Sequence, residues 1–425
     1  MSSFTLEAYQ NDYLPVGATE VNAIVTVTSD GASGPAGQPD AAVVVIVDTS
    51  GSMGVPSGKI KAAREATSVA IDCIRDGVPF AVIAGTDRAR LVYPTSGRLA
   101  VGSARTRIKA KHEVARLHAG GGTAMGSWLR LAFDLFTTAP DHTCHAILLT
   151  DGENQSETPA ELEAALDAVE GQFQCDCRGV GTDWQVSELR RIASRLLGTV
   201  DIIPDAEAMA EDFGAMMRRA MGKSTRNVSL RLWTPQGASV AFVRQVAPTI
   251  EELAGRGVRV NDLTADYPTA TWGAEARDYH LCINVAPHET GEEMLAGRIS
   301  LLEGDEVCGQ ALIKAVWTDD QHLSTRISRE VAHYTGQAEL AECIQDGLEA
   351  RKEGDFATAT SKLGRAVQLA AESGNDGTMK LLQAVVEVDD VASGTVRLRG
   401  QVAVIDEMSL DTRSTSTVRV GGGTA

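Results

Sequence analysis

AAVVVIVDTSGSMG, residues 41–54, opens on an unbroken apolar run, rich in β-branched side chains, that ends in a carboxylate, Asp48, with Ser50 and Ser52 following at alternating positions. A strand with one wet face alternates apolar and polar residues. A run that is apolar at every position is covered on both faces, as in the centre of a parallel sheet. The residues that follow support this reading. KIKAAREATSVAIDCI places Ile60, Ala63, Thr67, Ala70, Ile71 and Ile74 on one helical face, and PFAVIAG is a second buried strand, which completes a βαβ unit. The alternation continues through RLVYP, a helix from Gly126 to Thr138, CHAILLTD, a helix from Pro159 to Glu170, QCDCRGVG, a helix from Val186 to Leu196, TVDIIP and a helix from Ala206 to Met221. This pattern predicts an α/β, doubly wound, Rossmann-like domain over residues 41–222.

Outward from that domain the period changes. EVNAIVTVT (20–28) alternates as a half-buried strand, and DGASGPAGQPD (30–40) breaks the chain, which puts a boundary near residue 40. After the domain, NVSLRLWTP, SVAFVRQV, YHLCINVAP and RISLLEGDEVCGQALIKAVW read as strands of an antiparallel β-sandwich over 226–330. Its edges need partners. The strands of residues 1–40 are the natural supply, so the α/β domain is expected to be inserted in the sandwich. Residues 331–390 return to helical spacing. Gly347, Ala350, Gly354, Phe356, Ala359, Leu363 and Ala366 resemble one tetratricopeptide-type hairpin, although a single repeat builds no solenoid and a plain helical hairpin or bundle fits equally well. The Ser/Thr/Gly-rich residues 391–425 read as a flexible tail.

Composition narrows the functional classes. A formal charge of -18 opposes binding to phosphate backbones, so nucleic acid is not an expected partner. MSSFTLEAYQNDYLP has no basic segment followed by an apolar one, and no stretch is long and apolar enough to span a bilayer. A cytoplasmic protein without membrane contact is expected. Seven scattered cysteines fit free thiols in a reducing compartment. His142, Cys144, His145, Cys175 and Cys177 open two neighbouring predicted strands and raise the alternative of zinc, but buried thiols in strands are the commoner explanation.

The chemistry gathers where strands end. In open α/β sheets, ligands bind beyond the carboxyl ends of the strands. Asp48, Ser50 and Ser52 stand there after the first strand, Thr123 sits in the glycine-rich turn GGGTAMGS before a helix, and Asp151 follows the strand in ILLTDGEN. Three hydroxyls and two carboxylates form a hard oxygen set that suits Mg²⁺ or Mn²⁺.

DTSGSM, the threonine of GGT and the aspartate of TDG, in this order and on this sheet, resemble the metal-ion-dependent adhesion site of von Willebrand factor A domains of the bacterial intracellular type. The resemblance covers residues 41–222, and no motif position departs from the pattern. It implies that Ser50 and Ser52 bind the cation directly, that Thr123 does so when ligand is bound, and that Asp48 and Asp151 act directly or through water. The function implied is a protein-binding scaffold whose metal takes an Asp or Glu from a partner. Related systems pair such domains with AAA+ ATPases or Ser/Thr kinases.

Enzymatic readings fit less well. A haloacid-dehalogenase phosphatase needs a second acid two residues after its nucleophilic Asp, and here that place is Ser50; SGSMG lacks the G-x-S-x-G elbow of a serine hydrolase. No enzyme is expected. The tail segment DTRSTSTVRVGGG offers Thr412, Thr415 and Thr417 as candidate phosphoacceptors for a signalling adaptor. Val418 and Val420 stand three residues after the last two, where forkhead-associated domains read phosphothreonine peptides.

Overall fold

In the computed structural model the chain begins with strands β1 (Phe4–Gln10), β2 (Leu14–Pro15) and β3 (Glu20–Asp30) and then enters β4 (Ala41–Asp48), every residue of which is buried. The structure describes residues 3–31, 41–55, 58–205, 207–223 and 225–420; most of the Gly/Pro-rich breaker lies outside them. After β4 come α1 (Gly58–Asp72), β5 (Pro79–Gly85), β6 (Ala89–Tyr93), β7 (Ala100–Val101), α2 (Ala104–Val114), α3 (Met125–Phe136) and β8 (Thr143–Thr150). Then follow α4 (Pro159–Val169), β9 (Gln174–Val180), α5 (Val186–Arg195), β10 (Val200–Ile203) and α6 (Met209–Gly222). Two units divide the chain. One takes the described residues within Ser33–Thr225 and Ala270–Gly273, the other those within Ser2–Ala32, Arg226–Thr269 and Ala274–Ala425.

In the first unit the sheet order is β10-β9-β8-β4-β5-β6, with β7 also on β5. β4 runs parallel to β5 and β8, and β9 and β10 continue parallel beyond β8. Only β6 and β7 run antiparallel to their neighbour β5. The apolar run explains this position. Val43, Val45 and Val47 share a core with Ala63, Ala66, Ala70 and Ile71 of α1 and Phe213, Met216 and Met217 of α6. Ala42, Val44 and Ile46 are buried as completely, and α3 packs against β4 and β5. Close contact on that side requires a bare backbone, since a Cβ on Gly85 would lie 2.3 Å from the Trp128 ring. α4 starts where its sequence dictates, at a capping box of Thr158 and Glu161 with Pro159 in the first turn.

The second unit adds β11 (Val228–Trp233), β12 (Ser239–Ala247), β13 (Glu251–Glu252), β14 (Val258–Asn261), β15 (Thr264–Pro268), β16 (Ala274–Asn284), β17 (Glu293–Glu303) and β18 (Glu306–Thr318). They form a five-stranded sheet ordered β1-β3-β16-β12-β13 and a six-stranded sheet ordered β14-β15-β11-β17-β18-β2. β3 pairs antiparallel with β16 from Glu20 opposite Asn284 to Asp30 opposite Ala274, so strands from both sides of the α/β segment share one sheet. The six-stranded sheet is mixed, because β2 runs parallel to β18.

Helices α7 (Gln321–Ser324), α8 (Arg329–Glu353), α9 (Phe356–Ser373) and α10 (Asp376–Val385) follow. Gly354 and Gly374 end α8 and α9 in left-handed conformations, at φ 83° and 68°. Asp355 and Asn375, the next residues, cap the following helices, so each break is written as a Gly-Asp or Gly-Asn pair. The helical region is thus three helices after α7, not one hairpin.

The expected flexible tail needs correction. Residues 391–420 are folded: β19 (Val386–Asp390) pairs with β20 (Thr395–Leu398), and α11 (Val404–Arg413) follows. Val386, Val396 and Leu410 join a core with Ile344, Leu363 and Val367. Burying these apolar groups offsets the ordering entropy that a polar composition alone cannot. Residues 421–425 lie outside the described residues. No helix among the described residues is long and apolar enough to cross a membrane.

Candidate metal centre

Three loops meet at the carboxyl ends of β4 and β8, and backbone hydrogen bonds join them before any side chain does. Gly51 N–H donates to Gly121 O at 2.9 Å, and Gly120 N–H donates to Thr49 O at 2.8 Å, tying the DTSGS loop to the glycine-rich loop. The glycine-rich loop is in turn clamped to the loop after β8. Ser156 N–H donates to Thr123 O at 2.8 Å, and Thr123 N–H donates to Ser156 Oγ at 3.1 Å. Asn154 Oδ1 and Glu157 Oε1 accept from Met125 N–H and Gly126 N–H, the orphan donors at the start of α3. A carboxylate there also suits the positive end of the helix dipole. Gly122 must be glycine for this contact, since a Cβ would lie 2.0 Å from Ser156 Oγ.

The five residues singled out in the sequence are brought together by these loops. Ser50 Oγ and Ser52 Oγ lie 2.9 Å apart, and Ser52 Oγ donates to Asp151 Oδ1 at 2.7 Å. A Cβ built on Gly152 would lie 3.1 Å from Ser52 Oγ, 3.5 Å from Thr123 Oγ1 and 3.9 Å from Ser50 Oγ, so all three hydroxyls lie close to one point. Asp48 turns its carboxylate back into the loop: Oδ1 accepts from Ser50 N–H at 2.7 Å and Oδ2 from Thr150 Oγ1 at 2.5 Å. Asp48 and Asp151 are fully buried. Burial pushes the Asp48 carboxyl up to about 6, against the hydrogen bonds from Thr150 and Ser50, which favour its charged form.

Two participants escaped the sequence reading. Thr150 lies inside the quoted ILLTDGEN segment and holds Asp48 from the neighbouring strand. Lys59, in the first turn of α1, places Nζ 2.8 Å from Asp151 Oδ2 and 3.1 Å from Asp183 Oδ2. Burial works against its charge, but the two carboxylates hold the ammonium above its ordinary range. Nothing in the local sequence separates Lys59 from an ordinary helix-surface lysine.

The set fits a hard divalent cation. Its donors are all oxygen, and the three hydroxyls gather beside the Asp151 carboxylate. The zinc alternative finds no support: among the described residues no three or more His, Cys, Asp or Glu side chains are grouped to hold a metal. His145 instead pairs with Asp176 at 2.9 Å, and Cys175 and Cys177 are free buried thiols. Burial opposes the Asp176 charge, yet His145, Arg178 and Thr199 hold its carboxyl well below the usual range.

Of the candidate phosphoacceptors, Thr412 is buried, whereas Thr415 and Thr417 are half-buried. Thr412 is 2% exposed on α11. Thr415 O accepts from Ile250 N–H, and Thr417 Oγ1 donates to Val246 O at 2.6 Å. Val418 O accepts from Gln337 Nε2, and Arg419 grips Asp278 through two hydrogen bonds of 2.9 and 2.8 Å.

Comparison with known proteins agrees with the fold. Residues 41–202 match the family model of the von Willebrand factor type A domain, and residues 368–414 match that of the von Willebrand factor type A C-terminal domain. A solved structure of a von Willebrand factor type A protein from Catenulispora acidiphila is 51% identical with a TM-score of 0.94, over 99% of this chain and 98% of that one. The crystal structure of the ArnB paralog VWA2 from Sulfolobus acidocaldarius is 15% identical with a TM-score of 0.59, over 99% of this chain and all of that one, a likeness of fold alone. No curated protein matches the chain.

Proposed function

Because the chain belongs to the von Willebrand factor type A family, we propose that it is a protein-binding module whose Mg²⁺ or Mn²⁺ centre takes an acidic side chain from a partner. The observation that carries this reading is the convergence of the Ser50, Ser52 and Thr123 hydroxyls beside Asp151 at the carboxyl ends of β4 and β8. Hydroxyl ligands leave the cation much of its positive charge, and an incomplete protein shell leaves room for one more oxygen. Ser50 and Ser52 would hold the ion. Asp151, Asp48 and Thr123 would complete the shell directly or through water. Binding is favoured over hydrolysis, because the position two residues after Asp48 is the hydroxyl of Ser50 and supplies no general acid.

The test is affinity capture from extracts of the source organism with the full chain in Mg²⁺, in EDTA, and as Asp151→Ala in Mg²⁺. Partners that are retained in Mg²⁺, lost in EDTA and lost again with Asp151→Ala are the expected result. Partners indifferent to both treatments would place the binding surface elsewhere.

A further inference from the structure

Lys59 stands where local rules disfavour it. A cation in the first turn of a helix meets the positive end of the helix dipole, and lysine is among the side chains least often buried. Its side chain is nevertheless only 11% exposed. What holds it there is Asp151, fully buried, with its two oxygens facing different partners: Oδ1 accepts from Ser52 Oγ at 2.7 Å, and Oδ2 meets Lys59 Nζ at 2.8 Å. Asp183 gives the ammonium a second carboxylate at 3.1 Å, 66% exposed and so on the solvent side of the pair.

We propose that Lys59 is a resident counter-ion that sets the cation affinity of the centre, competing with the divalent ion for Asp151 and shifting onto Asp183 when the ion binds. The proposal rests on the metal reading of the same site. Its physical basis is charge. A divalent ion among the Ser50, Ser52 and Thr123 hydroxyls would share Asp151 with an ammonium a few ångströms away, and in a poorly solvated site such like charges repel strongly. A buried carboxylate without any partner is costly, so Lys59 also stabilises the site when no ion is bound. The arrangement keeps affinity moderate, and occupancy then follows the free cation concentration.

The test is Mg²⁺ calorimetry on the full-length chain, with melting curves in EDTA, for the wild type, Lys59→Met, Lys59→Gln and Asp183→Asn. Lys59→Gln keeps a hydrogen-bond donor for Asp151 without the charge, and it serves if Lys59→Met folds poorly. Removing the charge should tighten Mg²⁺ binding by at least about tenfold, since one tenfold step corresponds to a single pKa unit of interaction. It should also lower the melting temperature in EDTA, while Asp183→Asn should weaken binding. Equal or weaker binding in both Lys59 variants overturns the proposal and makes Lys59 a structural support of Asp151. If neither the wild type nor any variant binds Mg²⁺ or Mn²⁺, the metal reading itself falls, and Lys59 is the permanent cation of the site.

Discussion

Asp48 and Asp151 share complete burial but not surroundings. Asp151 has an ammonium beside it, whereas Asp48 has only neutral donors, Thr150 Oγ1 at 2.5 Å and Ser50 N–H at 2.7 Å. At Asp48, burial outweighs these donors and, with the charge of Asp151 adding to it, raises the carboxyl to about 6. These contacts also assign Thr150 a definite task. Thr150→Val keeps the shape of the strand and removes the donor, leaving a buried oxygen unsatisfied. The expected cost is about 1–3 kcal/mol, read as a lower melting temperature of the transition assigned to the α/β unit. An unchanged transition would mean that Asp48 finds another donor. At this scale the gathering of Asp48, Ser50, Ser52, Thr123 and Asp151 was legible in the sequence, because all five lie where strands end or helices begin. Lys59 was not legible, because its environment comes from Asp151 and Asp183, which lie 92 and 124 residues away in the chain.

Among the elements, legibility followed apolar periodicity. β4 was plain because eight successive residues are apolar or end the run, and α1 because its buried Ala63, Thr67, Ala70 and Ile71 recur at helical spacing. The β19–β20 hairpin and α11 were missed for the opposite reason. Glu387, Asp389 and Arg397 alternate with Val386, Val388 and Val396, so only a few apolar residues mark each strand. On α11, Leu410 is the one buried aliphatic side chain, flanked by buried Ser409 and Thr412. Such segments look solvated until the core they cover is known. Leu410 therefore offers a direct check on the folded state of residues 391–420. Leu410→Ala leaves a cavity against Ile344, Leu363 and Val367, with an expected loss of about 2–5 kcal/mol, measured by denaturant unfolding of the second unit. A loss near zero would return the segment to the status of a loose tail.

For the whole molecule, charge bears on how the proposed acidic partner would be drawn in. A formal charge of -18 repels an acidic partner at long range, but beyond a Debye length of about 8 Å that field is largely screened. Attraction must then come from a compact positive source, which a divalent ion in a shell partly made of neutral hydroxyls supplies. The centre sits on the rim of a large buried sheet and does not nucleate it, so emptying the site should leave the fold intact. Calorimetric titration of the wild type, Asp48→Ala and Asp151→Ala with Mg²⁺ decides whether these residues hold a cation, with circular dichroism to show that each variant is folded. One ion bound per wild-type chain and none detectable by either folded variant is the expected result. Equal Mg²⁺ affinity in all three proteins would contradict it.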